Sequence, residues 1–189
     1  MRALRTLAIA AFAALAATAT ASATDLVDVV TPAPMYATAD DGFDWNGIYF
    51  GKYVFQYWSD LGAGNNGIGK ALGVNLELGD YFLIGGEVRV EASFDNFVYE
   101  AFSLGAVGRA GFILADNFLI YAVGGASYTD LGGGLNVTES IFGGGLEVAL
   151  GDNVSLRGEI SHRECIGGNV ACLVGGYNHG SVGVFWHFN

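Results

Sequence analysis

Ser161, His162 and Glu164 place a nucleophile, a base and an acid within four residues, the side-chain types of a hydrolytic site. The stretch they close alternates apolar and polar residues, with Val154, Leu156 and Ile160 against Ser155, Arg157 and Glu159. Such a stretch reads as a strand, where neighbours point to opposite faces, so Ser161 and His162 do not readily share a hydrogen bond. The types are present without the geometry, and no catalytic residue is assigned. A second group of reactive side chains is better ordered. Glu77, Glu87, Arg89, Glu91, Arg109, Glu147, Arg157 and Glu159 all fall on one phase of alternating segments whose other phase is Leu, Val, Ile and Phe. Charges sharing one buried face must pair, so an ion-pair network is expected there in preference to catalysis or conduction.

Two cysteines, Cys165 and Cys172, form the third group. An even count in an exported chain invites a disulfide, worth about 2–3 kcal/mol for so short a loop. His162 and His179 stand at no standard ligand spacing from them, so zinc is the weaker reading. Gly132-Gly133-Gly134 is followed by no helix and no Lys-Ser/Thr pair, so it is no phosphate loop, and no cofactor or metal is expected.

The elements that must position these residues are set by a ruler. Asp44, Asp80, Asp116 and Asp152 recur every 36 residues, and the next interval lands on Phe188. The internal marks, Gly79-Asp80-Tyr81, Ala115-Asp116-Asn117 and Gly151-Asp152-Asn153, are short polar turn signals between apolar segments too short for helices. Two strands of about ten residues, a loop and a tight turn consume such an interval, so four intervals predict eight antiparallel strands. A turn centred on Asp152 sets Glu147 opposite Arg157 and Gly145 opposite Glu159. All five marks then lie at one end. The segments around 58–67, 129–140 and 163–178 are expected as loops at the other.

Composition narrows the class. Arg2 and Arg5, the apolar run Leu7–Ala17 and the small residues Ala21-Ser22-Ala23 read as a cleaved signal peptide over 1–23. Residues 24–43, with Pro32, Pro34 and Asp40-Asp41, read as a flexible periplasmic lead-in, and 44–189 as one domain. Removing 1–23 takes two arginines and no acid from 8 basic and 19 acidic residues, leaving a charge of −13. That charge excludes a nucleic-acid partner and makes divalent cations at the acidic loops a candidate one. After the signal no run is long enough for a transmembrane helix, although 52% of the precursor is hydrophobic and glycine numbers 30.

Two architectures fit alternating strands. A soluble lipocalin-like barrel or sandwich puts the apolar phase inside, and an outer-membrane barrel puts it against lipid. Export, an aromatic last strand and glycines on the polar phase favour the membrane barrel. Trp45, Tyr81, Phe118, Trp186 and Phe188 then form an interfacial aromatic girdle near the turn end. One segment resists. From Asn46 to Phe55 apolar residues occupy both phases, and following Ile48 and Phe50 outward carries Lys52 into the lipid face, to be relieved by a bulge at Gly51 or by snorkelling.

Asp44-Trp45-Asn46-Gly47-Ile48-Tyr49-Phe50-Gly51 resembles the opening strand of the porin-like outer-membrane β-barrel family of Gram-negative surface antigens. Gly108–Phe112 with Leu119–Ala126 resembles its central hairpin, and Gly143–Glu147 with Ser155–Glu159 its penultimate one. The resemblance spans most of 43–188. It implies a small all-β, eight-stranded antiparallel up-and-down transmembrane β-barrel of OmpA/OmpX type. Such a barrel sits in the cell outer membrane, contacts its lipid and lipopolysaccharide, and is inserted by the outer-membrane assembly machinery. The expected function is a non-enzymatic structural and surface-exposed role in the cell envelope. The alternatives are a narrow cation-preferring porin-like channel and a lipid A-modifying hydrolase.

Overall fold

A computed structural model describes residues 42–59, 62–95, 98–115, 117–169 and 176–188. The expected signal peptide, most of the lead-in, Asp116 and Cys172 lie outside these residues. Eight strands follow in order: β1 (Gly47–Ser59), β2 (Gly62–Leu78), β3 (Phe82–Asp95), β4 (Val98–Ala115), β5 (Phe118–Gly132), β6 (Leu135–Gly151), β7 (Val154–Gly168) and β8 (Tyr177–Phe188). Each pairs antiparallel with the next, and β8 returns to β1 with Ile48 opposite Phe188 and Trp58 opposite Asn178. The sheet is closed, so no edge is left to recruit another chain.

The alternation dictates which side of the wall is dry. Leu72 and Val88 on the outer face are 57% and 52% exposed, whereas Glu147 and Arg157 on the inner face are 0% and 3% exposed. A soluble barrel would have these phases reversed. The protein is therefore an all-β transmembrane barrel, apolar toward lipid and charged within. Strands of 17 residues in β2 and β6 and 18 in β4 exceed the roughly 9–11 needed to span, so the wall continues beyond the apolar belt.

β1 does not need the expected bulge. Its register against β2 is unbroken from Gly47 to Gln56 and shifts only between Gln56 and Trp58, so Lys52 keeps the outward phase of Ile48, Phe50 and Val54. The second apolar phase is explained inside: Tyr49, Tyr53 and Phe55 turn into the lumen, directly opposite Gly73, Gly69 and Gly67 of β2. The glycines leave room for the rings. A Cβ at Gly73 would stand 2.3 Å from the Tyr49 ring, and one at Gly69 2.2 Å from that of Tyr53.

Two expectations are corrected. Trp45 does not join the girdle: it is 1% exposed and belongs to a buried apolar cluster inside the barrel that includes Leu83, Ile113 and Leu119. The reason is local, since Trp45 N–H donates to Glu77 Oε1 at 2.7 Å, and Asn46 Oδ1 accepts from Glu77 N at 2.8 Å. These bonds fold the entering chain across the mouth. The segments 58–67 and 129–140, expected as loops, are largely strand, because β1 and β2 pair out to Ser59–Gly62 and β5 and β6 to Gly132–Leu135. Gly132, Gly133 and Gly134, at φ of 78°, 62° and 80°, close the second hairpin tightly in a region other residues avoid.

Candidate functional site: a charged lumen

Inward side chains meet because the ladder stacks alternate residues of each strand on one face. Glu147 and Arg157 are directly opposite on β6 and β7, as are Gly145 and Glu159. Arg157 donates from Nε to Glu147 Oε2 at 2.9 Å and from Nη1 to Glu87 Oε2 at 2.5 Å. Arg89 donates from Nε to Glu87 Oε1 at 2.5 Å, then from Nη1 and Nη2 to the two oxygens of Glu159 at 2.6 and 2.8 Å. Arg109 joins from the side, Nη2 to Glu147 Oε2 at 3.1 Å. The result is an alternating chain, Glu147–Arg157–Glu87–Arg89–Glu159, with Arg109 as a branch. Three carboxylates meet three guanidiniums, so the cluster is neutral as a whole.

The remaining valences go to aromatics and hydroxyls. Tyr49 donates to Glu87 at 2.7 Å and Tyr121 to Glu159 at 2.8 Å. The faces of the guanidiniums are covered as well, Arg157 lying 3.5 Å over the Phe185 ring and Arg109 4.6 Å over that of Tyr121. Cation–π contact offsets part of the cost of nitrogens that lack a hydrogen-bond partner, Arg157 Nη2 and Arg109 Nη1 among them. Toward the short turns, Ser155 Oγ donates to Glu147 Oε1 at 2.5 Å and His187 Nε2 stands 3.2 Å from the same oxygen. The His187 ring is walled by Phe43 and Trp45.

A second group lies toward the far end. Arg163 Nη2 is 2.8 Å from Glu91 Oε2, and His179 Nε2 3.3 Å from Glu91 Oε1. Tyr53 donates to Glu91 at 3.0 Å, and Tyr177 donates to Glu139, which also accepts from Thr129 at 3.1 Å. Between the groups a cavity of about 10 Å³, beside Tyr53, Arg89 and Phe185, is the size of one water. Around these described residues the lumen is packed as a core.

Of the eight charges expected to share this face, seven are buried in it. Glu77 sits half-buried at the short-turn mouth. With the buried Arg163 and Glu139 both counted, glutamate still exceeds arginine on this face, six with Glu77 against four. Arg163, Glu139, His179 and His187 were missed, although each continues a phase already read: Arg163 follows Arg157 and Glu159, and His179 precedes Ser181. The tyrosines carried a signal too, since Tyr121 and Glu159 stand two 36-residue intervals beyond Tyr49 and Glu87. The hydrolase trio does not converge. Ser161 is buried facing His179, His162 packs on Phe142 with Nδ1 3.1 Å from Asn178 Oδ1, and Glu164 is exposed. Tyr81, Trp186 and Phe188 are exposed on the outer face near the short turns, with Phe118 half-buried beside them. Cys165 is disulfide-bonded; Cys172, the only other cysteine of the sequence, lies outside the described residues.

No protein-family model matches the chain, and no curated protein matches it. Solved structures do. The crystal structure of Neisserial surface protein A is 17% identical at a TM-score of 0.51, with 75% of this chain and 96% of that one covered. The N-terminal β-barrel domain of Pseudomonas aeruginosa OprF is 13% identical at 0.52, with 74% and 97% covered. Ail, the attachment invasion locus protein of Yersinia pestis, is 13% identical at 0.52, with 75% and 96% covered. At these identities the likeness is one of fold, the eight-stranded barrel of Gram-negative outer-membrane proteins.

Proposed function

We propose that this chain is a non-enzymatic outer-membrane β-barrel with a structural, surface-exposed role in the cell envelope. It is exported through its signal peptide and inserted by the outer-membrane assembly machinery. The observation that carries the reading is the closed wall with an apolar exterior around a packed ion-pair core. Such an object is stable only where lipid covers its outside. The short turns would face the periplasm and the long hairpin ends the exterior, so partners meet strand-built tips in preference to long loops. The Cys165–Cys172 bridge would brace the β7–β8 connection. A test is electrophoresis of membrane fractions before and after boiling. The folded barrel is expected to shift in mobility, and a chain recovered in the soluble fraction with no shift refutes the reading.

The filled lumen disfavours the channel alternative. An ion would have to part Arg89 or Arg157 from the two carboxylates that each of them holds, at several kcal/mol per broken buried pair. Planar-bilayer recordings of the refolded protein are therefore expected to show no discrete conductance. Steady cation-selective steps at neutral pH would overturn this.

A further inference from the structure

Among the described residues, Lys52 and Lys70 are the cations that the packed interior leaves unexplained. They lie directly opposite each other on β1 and β2, both pointing out of the barrel. Their Cβ atoms are thus roughly 4.5–5.5 Å apart, and like charges in that relation repel. Neither has an acid within ion-pair distance among the described residues, and Lys52 Nζ has only the Phe50 ring, at 6.0 Å. Their neighbours across the wall are apolar, Val184 beyond Lys52 and Val90 beyond Lys70. A lone lysine amid lipid costs up to about 2–4 kcal/mol at the midplane, so a repelling pair in the apolar belt calls for an anion.

The register says where that anion sits. On β2 the outward residues Leu72, Val74, Leu76 and Leu78 separate Lys70 from the short-turn end, and Ile68 alone separates it from Asn66. On β1, Val54 alone separates Lys52 from Gln56, and Gln56 faces Asn66. Both ammonium groups therefore stand one outward residue below a polar rung, on the side of the far-end hairpins. A lysine stem spans about the length of two strand residues, enough to lift its charge to that rung. The groups at that depth in a membrane are lipid headgroups. Two ammoniums side by side fit a phosphate, which presents several oxygens to separate donors.

We propose that Lys52 and Lys70 clamp the phosphate of an anionic lipid in the outer leaflet, with its chains along the Val54, Ile68 and Val182 surface. This rests on the reading of the protein as an outer-membrane barrel, and it assigns the lipid a place on it.

The test is native mass spectrometry of the folded, detergent-purified protein offered equal phosphatidylglycerol and phosphatidylcholine. Lipid adducts are expected to favour phosphatidylglycerol by about tenfold. The K52Q/K70Q variant should fall to parity, and K52R/K70R should keep the preference. An unchanged preference in K52Q/K70Q overturns the site, as does displacement of the lipid by excess inorganic phosphate, which would make free phosphate the ligand. A dimer present in the native protein and lost in K52Q/K70Q overturns it in favour of a second copy as the occupant. The mobility shift on boiling is read on the same samples. Its absence in the native protein defeats the membrane reading itself, whereas its presence beside equal adducts defeats only the lysine site.

Discussion

Arg157→Met is expected to destabilise the folded barrel by about 3 kcal/mol, the low end of the range for removing one partner of a buried ion pair. Arg157 holds Glu147 and Glu87 at once, and its plane lies over Phe185. Methionine keeps much of the stem's volume and none of its charge, so the loss reads electrostatics more than packing. The figure is at the low end because Arg89 and Arg109 remain beside Glu87 and Glu147. Equilibrium unfolding in urea, with the protein in lipid vesicles and tryptophan fluorescence as the readout, measures it. In a cycle with Glu147→Gln, the double variant should lose less than the two singles together, by about 1–3 kcal/mol. Additivity within about 0.5 kcal/mol would show that the contact carries no coupling, and the network would then be packing alone. Salt should matter little, since screening is weak for pairs with side chains this buried.

The same pair shows how much the sequence discloses. A turn centred on Asp152 fixes which residues of two strands face each other, because register in a hairpin follows from the turn and strand parity fixes the side. Glu147 against Arg157 is thus legible without coordinates. The longer reaches are not. Arg89 to Glu159 and Arg157 to Glu87 each cross the lumen between β3 and β7, strands that no single turn relates. Hairpin counting sees neighbours on the wall and is blind to partners across the interior. Trp45 fails for a different reason. It precedes the first ladder residue, so no parity governs it, and its position depends on hydrogen bonds to Glu77 and on space beside Leu83 and Leu119. The 58–67 and 129–140 hairpins read as loops when a spanning strand is given about ten residues, whereas β1, β2, β5 and β6 run 13, 17, 15 and 17 residues. Glycine marks their turns and has a second use elsewhere, lining a crowded wall.

That second use of glycine yields the other large expected effect. Gly125→Ala should destabilise the barrel by about 3 kcal/mol, an overpacking penalty against backbone. Gly125 lies directly opposite Val107, and a Cβ there would stand 2.1 Å from the Ala106 carbonyl oxygen and 2.7 Å from Val107 Cα. A flexible side chain could turn aside, but β4 cannot retreat without stretching its ladder bonds to β5. Gly73 is a softer case, because its close neighbour is the outer end of the Tyr49 ring, although displacing that ring would also break its bond to Glu87. Gly86 is the control, with nothing within 4 Å of a built Cβ and no left-handed φ. Gly86→Ala should be neutral or should stabilise by about 0.4–1 kcal/mol through the unfolded chain. Urea midpoints compare the folded fractions, and the yield of heat-shifted protein registers any variant that fails to insert. Equal midpoints for the two alanine variants would mean that the wall at β4–β5 yields freely. The close approach of Gly125 to the Ala106 carbonyl would then not be what selects glycine there.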